Sequence, residues 1–275
     1  MKTTKMATRF APRLTLLFAA PGLWMGCLVG SMSIGISPVS GETTTTDFFA
    51  SETGPSDTEF EHRSHAIFDG ETLAGWEGHG YWFRVETETP DQAGAIVAGR
   101  LEERIPHNQF LCTTRQYADF DLRYQVRLVG QGNNAGVQFR SQRVKGTPEH
   151  PSTEVSGYQA DVGMAWKRSV WGALYDESRR KRMLQEPETP VEIPWTESLE
   201  DSPRKTAWVD MRVLCRGPRV QIFVNGTMTV DYTETDESIP AFGKLGLQIH
   251  SGPPTEAWYR RIRILPLRPQ RNVAP

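Results

Sequence analysis

The sequence predicts an all-β domain, an antiparallel two-sheet sandwich of the jelly-roll type. Apolar and polar residues alternate with a period of two in many short segments, which is typical of strands with one buried face. Clusters of Gly, Pro and Asn separate these segments, and no convincing apolar stripe at helical spacing lies between them. Because strands without intervening helices cannot form parallel βαβ units, a sandwich or jelly roll is expected.

The alternating segments follow one another along the domain, in the order 120–128, 136–140, 157–163, 219–226, 244–250 and 259–265. In the first of them, the apolar Phe120 and Leu122 flank Asp121, so one face is apolar and the other polar. Asn225-Gly226 lies between two apolar runs and predicts a two-residue hairpin turn. Residues 178–207 form a long insertion whose prolines exclude a central strand, and we expect a surface loop or flap there.

The chain divides into four predicted segments. Residues 1–40 begin with basic residues and continue into a long uncharged apolar run, which predicts a signal peptide or a membrane anchor. Residues 41–62 are rich in Thr, Ser and Glu and predict a disordered linker. Residues 63–267 form the sandwich domain, and residues 268–275 a polar tail. We therefore expect an exported protein, periplasmic or at the cell surface, with the N-terminal segment as a membrane tether if it is not removed.

The charge balance argues against a nucleic-acid partner. The chain has 31 Lys and Arg against 33 Asp and Glu, and no basic patch is visible. Loss of residues 1–40 would remove four basic residues and no acid, so the remaining chain is more acidic still. The predicted domain contains Cys112 and Cys215, which either pair in an oxidising compartment or remain two buried thiols.

Polar residues of three predicted strands share one face. Each pair lies two positions apart and so projects from one side of the sheet: Gln138 and Arg140, Gln159 and Asp161, and Gln248 and His250. Amides, an acid, an Arg and a His can donate and accept hydrogen bonds to a polyhydroxylated ligand. The alternative is a solvated face that is polar without binding anything.

Aromatic residues in the polar segments between strands favour the ligand-binding interpretation, because an aromatic ring can stack on the CH face of a sugar. These residues are Trp166, Trp171, Tyr175 and Trp195, although core packing is the commoner use of tryptophan. The segment 171–184 has the densest charge in the chain. It is either an ion-paired surface turn or a segment that places Asp176 or Glu177 over the sheet face as an acid or base.

Several segments together resemble a known family, and they are 132–141, 156–163, 171–180, 220–234 and 243–254, with 67–78 and 260–265 at the two ends. In order and spacing they resemble the DUF1080 family, the 3-keto-disaccharide hydrolases, over essentially the whole predicted domain. The resemblance implies a concanavalin A-like jelly roll that acts on oxidised sugars. The chain departs from the commoner family string GYEVQI by carrying Gln159 where Glu is frequent and Asp161 where Gln is frequent. We therefore expect Asp161 to take over any carboxylate role that the family has at position 159, because the two residues lie on the same face.

The resemblance implies elimination from a 3-keto glycoside, because the ketone acidifies the C2 hydrogen that a base then removes. It makes His250, Asp161 and Glu177 the candidate acids and bases, and Arg140 the candidate for stabilising the enolate oxygen. The candidates for substrate binding are Gln138, Gln159, Gln248, Trp171, Tyr175 and Asp176. A divalent metal on Asp161, Glu177 and His250 is compatible with these ligand types, and the resemblance implies no other cofactor.

Two other classes of protein fit the same sequence. The sandwich also serves as a lectin fold, so a non-catalytic carbohydrate-binding module is the main alternative, and a structural domain tethered to the cell envelope is the other. A catalytic domain should bring an acid and a base to one pocket. A lectin needs mainly aromatic and amide side chains, and a structural domain needs no concave polar pocket.

Overall fold

A computed structural model describes residues 54–87, 94–144, 154–197 and 202–267 of the chain. Within these residues, sixteen strands form two antiparallel sheets that pack face to face. The predicted all-β, two-sheet antiparallel sandwich is confirmed. The predictions for residues 1–40, for most of the linker and for the tail at 268–275 lie outside the described residues.

Sheet I has eight strands: β1 (His65–Ala66), β3 (Phe83–Glu86), β4 (Ala95–Arg100), β6 (Phe120–Gly130), β12 (Val209–Arg216), β13 (Arg219–Val224), β14 (Thr227–Thr233) and β16 (Thr255–Pro266). Their order is β14–β13–β12–β6–β16–β4–β3, and β1 also pairs with β16. The predicted hairpin turn joins β13 to β14. Asn225 and Gly226 have φ of 48° and 80°, as a two-residue type I′ turn requires.

Sheet II also has eight strands: β2 (Trp76–Glu77), β5 (Gln109–Thr113), β7 (Asn134–Arg143), β8 (Val155–Ala165), β9 (Arg168–Ser169), β10 (Leu174–Glu177), β11 (Arg182–Gln185) and β15 (Lys244–Ile249). Their order is β11–β10–β8–β7–β15–β5–β2, and β9 also pairs with β8. The short β11 lies within the predicted insertion at the edge of the sheet, and the insertion contributes no central strand in the part that the structure describes.

Apolar side chains at alternate strand positions fill the space between the sheets. Leu122 of sheet I and Val137 of sheet II are each 1% exposed. Tyr259 of β16 spans the core, with its hydroxyl oxygen 2.7 Å from the carbonyl oxygen of Gln248 and 3.1 Å from that of Gly136. Because successive side chains of a strand point to opposite sides, the residues between the core positions of sheet II project from its outer face.

A short helix, α1 (Asp57–Arg63), packs on sheet I where the sequence predicted linker up to residue 62. Ser56 caps the helix by accepting a hydrogen bond from the backbone N–H of Glu59 at 3.2 Å. Phe60 is 1% exposed, and the Arg123 guanidinium lies 4.0 Å from its ring centre. The linker prediction is wrong here, because one buried aromatic side chain holds the helix on the domain. No helix in the described residues is long and apolar enough to cross a membrane.

The two cysteines of the domain are free thiols. Cys112 and Cys215 are both buried and unpaired, so of the two alternatives left open by the sequence the structure has buried thiols. Burial raises the pKa of Cys112 to about 11 and that of Cys215 to about 12. Neither thiol is therefore activated as a nucleophile.

Arg140 does not lie on the outer face of sheet II with Gln138, so its predicted placement is wrong. The pairing of β7 with β8 shifts register between Phe139 and Gln142, and Arg140 has a φ of 47°. Such a bulge breaks the strict alternation of side chains along a strand. The Arg140 side chain consequently turns away from the face that its position in the sequence predicted.

The Arg140 side chain connects the two sheets instead. It is 2% exposed, and it donates hydrogen bonds to the carbonyl oxygens of Ala118 at 2.9 Å and Gly217 at 2.7 Å. It also donates to the Asp119 carboxylate at 2.9 Å. Since these three acceptors flank β6 and β12, the arginine ties the bulge of sheet II to the strand ends of sheet I.

We expect Arg140→Ala to lower the free energy of unfolding by about 3–5 kcal/mol, because it removes the charged partner of the Asp119 carboxylate, which is 10% exposed, and the donor to two carbonyl groups. Urea denaturation measures the change. The control is Arg63→Ala, which removes an ion pair to Glu59 from an arginine side chain that is 54% exposed and should cost less than about 1 kcal/mol. Equal effects of the two substitutions would contradict the connecting role of Arg140.

Candidate functional site

A cavity of about 500 Å³ opens on the outer face of sheet II. Two neighbouring strands of sheet II supply its central residues, Gln159 and Asp161 from β8 and Tyr175 and Glu177 from β10. The remaining wall comes from residues 131–134, from the end of β8 and its turn at 164–166, and from residues 250–253, together with Asn108 and Thr255. The volume falls within the range of about 300–1,000 Å³ that is typical of small-molecule sites.

Strand β8 carries two of these residues by simple alternation. Ala160 and Val162 belong to the core, so Gln159 and Asp161 project from the opposite face. In the neighbouring β7, Gln138 lies directly across from Gln159. The structure therefore brings these three residues together, as the sequence predicted.

Strand β10 carries the other two, Tyr175 and Glu177. Asp176, predicted to bind substrate, lies between them and is fully buried on the other side, where it accepts from Arg179 at 3.0 Å and also pairs with Arg180. The prediction for Asp176 is wrong because the segment is a strand rather than a turn, and neighbouring residues of a strand cannot share a face. The segment thus combines the two alternatives that the sequence left open. Asp176 is ion-paired inside the domain, and Glu177 lies over the sheet face in the cavity.

A chain of hydrogen bonds leads from the interior of the sheet to the Asp161 carboxylate. The Ser141 hydroxyl donates to Oε1 of Gln138 at 3.1 Å, and Nε2 of Gln138 donates to Oε1 of Gln159. Nε2 of Gln159 in turn donates to Oδ1 of Asp161. Because each amide oxygen is already an acceptor, each amide nitrogen faces the next group, and the last donor in the chain points at the acid.

Gly136 makes room for this arrangement. It lies opposite Asp161 on β7, and a Cβ at this position would lie 2.6 Å from Cδ of Gln159. The Gln159 side chain thus lies over the backbone of a residue that has no side chain. A glycine inside a strand commonly marks such a close approach.

We expect Gly136→Ala to displace the Gln159 side chain and lower the free energy of unfolding by about 1–3 kcal/mol, as overpacking does. Chemical denaturation measures the loss. Gly80→Ala is the matched control, because a Cβ at Gly80 meets nothing within 4 Å. Unchanged stability of Gly136→Ala would show that Gln159 is not held where the structure places it.

The two carboxylates of the cavity have raised pKa values. Burial raises the pKa of Asp161 to about 8; the Glu177 charge adds to this effect and the Gln159 hydrogen bond opposes it. Burial raises the pKa of Glu177 to about 7; the charge of Glu154 contributes, and a hydrogen bond from Gln248 opposes it. At neutral pH Asp161 is therefore mostly protonated, and Glu177 is ionised in a substantial fraction of molecules.

Sheet II curves so that side chains of strands that are not neighbours meet on its outer face. Nε2 of Gln248 on β15 donates to Oε2 of Glu177 on β10 at 3.2 Å, although β8 and β7 lie between them. In a flat sheet these strands would be about 14 Å apart. Gln248, which the sequence predicted to bind substrate, is 0% exposed. It lies behind the cavity and contacts Glu177 instead.

His250 lies just beyond β15 and lines the cavity as predicted. Its Nδ1 is 2.7 Å from the carbonyl oxygen of Ser251, which can only accept. Nδ1 is therefore the donor in this contact, and in the neutral imidazole Nε2 is then an acceptor. The backbone N–H of Ser251 donates to Oδ1 of Asn108 at 3.0 Å, so the Asn108 amide nitrogen remains as a donor.

Trp171, predicted to bind substrate, belongs to the core. It is 2% exposed and packs within the apolar cluster between the sheets, where Val170 and Ala173 are buried beside it. The prediction is wrong because this connection runs inward rather than across the surface. Trp195 also packs against the core, with the Arg204 guanidinium 4.3 Å from its ring centre.

Several lining residues were not assigned to the site from the sequence, although their signals were present. In the sequence, the loop before β7 indicates only a turn. It docks through the carbonyl oxygen of Asn133, which accepts from the backbone N–H of Met164 at 2.7 Å, and through Asn134, which donates to the Met164 carbonyl at 3.2 Å. Gly163 permits this contact, since a Cβ there would lie 1.9 Å from Asn133 O. Two adjacent asparagines beside the acid-bearing strand were the usable signal.

The predicted metal would need Asp161, Glu177 and His250 to converge on one point. Among the described side chains, no three His, Cys, Asp or Glu residues approach closely enough to hold one ion together. Asp161, Glu177 and His250 all line the cavity but do not form such a set. As they stand, these residues do not fit the expected three-ligand site.

We expect the stability of the protein to fall as the pH rises from about 4 to about 8. Both carboxylates have raised pKa values in the folded state, so the folded state binds more protons than the unfolded chain in this window. Asp161→Asn keeps an acceptor for Gln159 and removes one titration. Urea denaturation at pH 5 and pH 8 should show a loss of stability smaller by at least about 1 kcal/mol in the variant. Parallel losses would mean that Asp161 is ionised in the folded protein.

Comparisons with known proteins agree with this architecture. The family described as 3-keto-alpha-glucoside-1,2-lyase-like domain matches residues 63–265, whereas no curated protein matches the chain. A Parabacteroides distasonis protein proposed to be a glycosyl hydrolase is similar at 18% identity and a TM-score of 0.52, over 78% of this chain and 98% of that one. A Bacillus subtilis protein of unknown function with a galectin-like fold is similar at 12% identity and a TM-score of 0.50, over 78% and 94%. At these identities, the solved structures show the fold alone.

Proposed function

The chain belongs to the family of 3-keto-alpha-glucoside-1,2-lyase-like domains, and we propose that it cleaves 3-keto glycosides by elimination, followed by addition of water. One observation carries the proposal. Two carboxylates with raised pKa values, Asp161 and Glu177, reach into one cavity that is large enough for a sugar. Acids and bases tuned toward neutral pH are what proton transfer at carbon and at a leaving oxygen requires.

Glu177 is the base in this proposal, and Asp161 is the acid. Ionised Glu177 takes the proton from C2, and the electron pair of that C–H bond forms the enolate of the C3 ketone. When the enolate collapses, the ketone re-forms, a double bond joins C1 to C2, and the C1–oxygen bond breaks. Protonated Asp161 supplies the proton to the leaving oxygen. Water then adds across the double bond, with its oxygen at C1 and a proton at C2.

Gln248 supports a Glu177 that changes its protonation state. Its Nε2 donates to the ionised carboxylate, and its Oε1 is buried with no hydrogen-bond partner among the described residues. Rotation of the amide by half a turn would let Oε1 accept the proton of a protonated Glu177. The same residue can therefore stabilise the base before and after it takes the proton.

Neutral donors take the role that the sequence assigned to Arg140. The Asn108 amide nitrogen lies in the cavity wall and can donate to the enolate oxygen, and the Tyr175 hydroxyl can donate to sugar hydroxyls. His250, with Nε2 as an acceptor, is placed to bind a hydroxyl at the rim or to act as a second base. Gln159 keeps Asp161 in position rather than offering both of its amide groups to substrate.

A carbohydrate-binding module without catalysis is the second candidate. An exposed Trp166 beside Tyr175 at the cavity would suit a lectin as well as an enzyme. A lectin, however, gains nothing from burying two carboxylates without a cation, which costs stability at neutral pH. The acid pair therefore favours the enzyme. We further propose that the protein acts outside the cytoplasm, which cell fractionation would test.

We expect kcat/KM for a 3-keto glucoside to follow a bell-shaped pH profile with its maximum between about pH 7 and pH 8. The rate rises as Glu177 ionises and falls as Asp161 loses its proton. Glu177→Gln should reduce the rate about 10²-fold or more and remove the rising limb, and Asp161→Asn should remove the falling limb. Release of the aglycone, followed across the pH range, measures all three proteins.

Two controls separate the candidates. Ordinary glucosides without the ketone should not be cleaved, because their C2 hydrogen is not acidic. Phe242→Ala changes an aromatic residue that is 51% exposed and lies outside the cavity, so it should leave the profile as in the wild type. Wild-type protein that binds sugars but never cleaves a 3-keto glucoside would support the lectin instead.

A further inference from the structure

The turn between β8 and β9 holds two large residues in an unfavourable backbone conformation. Trp166 and Lys167, the only residues between the two strands, have φ of 48° and 65°. A two-residue turn of this type favours Asn and Gly, as at Asn225-Gly226, because left-handed backbone crowds a Cβ. Strain of this kind clusters at functional sites, where the surrounding structure maintains it.

Trp166 presents its ring at the mouth of the cavity. The side chain is 64% exposed and lines the cavity wall, so the fold gains little from burying it. Its ring centre lies 6.4 Å from that of Tyr175, with the ring planes at 47°. The Arg168 guanidinium lies 5.6 Å from the indole and is itself paired with Glu186 at 2.6 Å. Two aromatic rings of defined orientation therefore border one opening.

Asp161 and Trp166 lie at different depths in the cavity, so they would meet different parts of a bound glycoside. Asp161 is 4% exposed and lies deep in the cavity, so C1 and C2 of the reacting sugar must go down to it. The exposed Trp166 then meets whatever extends outward from C1. Tyr175 lies two residues before Glu177 on the same face of β10, opposite Gln159 of β8, and its ring connects the acid pair to Trp166 at the mouth.

We propose that Trp166 and Tyr175 form a stacking subsite for the leaving group, which selects glycosides whose aglycone is a ring. The assignment of this subsite to the leaving group rests on the proposed elimination at C1. A second sugar could stack its CH face on these rings, and an aryl aglycone could stack its π face. Either would bury ring surface of Trp166 and Tyr175 that a methyl aglycone leaves exposed. The strained turn is retained because it directs the indole over that position.

The test compares two glycine substitutions in the same turn. Trp166→Gly and Lys167→Gly both relieve a left-handed residue, so each should raise the melting temperature by roughly 2–4 °C. Only Trp166→Gly should raise KM for a phenyl 3-keto glucoside, by about 10-fold, while kcat and the KM of the methyl 3-keto glucoside change less than about twofold. Lys167→Gly should leave both substrates as in the wild type.

Calorimetric binding of ordinary phenyl and methyl glucosides makes the result independent of turnover. A preference for the phenyl compound that Trp166→Gly abolishes and Lys167→Gly retains supports the subsite, even if no 3-keto glucoside is cleaved and the proposed reaction fails. If Trp166→Gly lost equal affinity for the methyl and phenyl compounds, the indole would contact the reacting sugar instead, and the subsite would be overturned. No loss for either would overturn it as well.

Discussion

The Asp161 carboxylate is buried on sheet II against an amide rather than an arginine. The same domain buries two other aspartates, Asp121 and Asp176, and each of these contacts two arginines. Burial beside a neutral donor disfavours the ionised form, and the raised pKa of Asp161 follows from that difference. The missing side chain of Gly136 and the curvature that brings Glu177 close both contribute to this one environment.

Alternation was enough to predict the sheets and most of the polar face, since it requires only that residues two apart share a side. It failed where the alternation breaks. The bulge at Arg140 depends on Gly243, where a Cβ would lie 2.4 Å from the Arg140 carbonyl carbon. That contact comes from a residue far along the chain and leaves no local signal. Asp176 was misplaced for another reason, because dense charge concealed a short strand.

The turns at Asn225-Gly226 and Trp166-Lys167 show how far residue types alone can predict a left-handed backbone. Asn225-Gly226 could be predicted because its residue types favour the backbone that it adopts. Trp166-Lys167 adopts that backbone against its residue types, so only the structure reveals it. The sequence shows that β8 carries an amide at 159 and an acid at 161, the reverse of the commoner family string. In the structure, Gln159 and Asp161 lie on one face as a hydrogen-bonded pair.

The position of β16 in sheet I has a consequence for biosynthesis. This strand lies between β6 and β4 and also pairs with β1, yet a ribosome makes it after every other strand of the domain. Until residues 255–266 have emerged, β1 has no partner strand, the rest of sheet I is in two parts with open edges, and the core beneath them is incomplete. Folding must then wait for contacts between distant parts of the chain, which is slow. Until its last strand is made, a chain of this topology therefore exposes unpaired strand edges and apolar surface, which are the features that lead to aggregation.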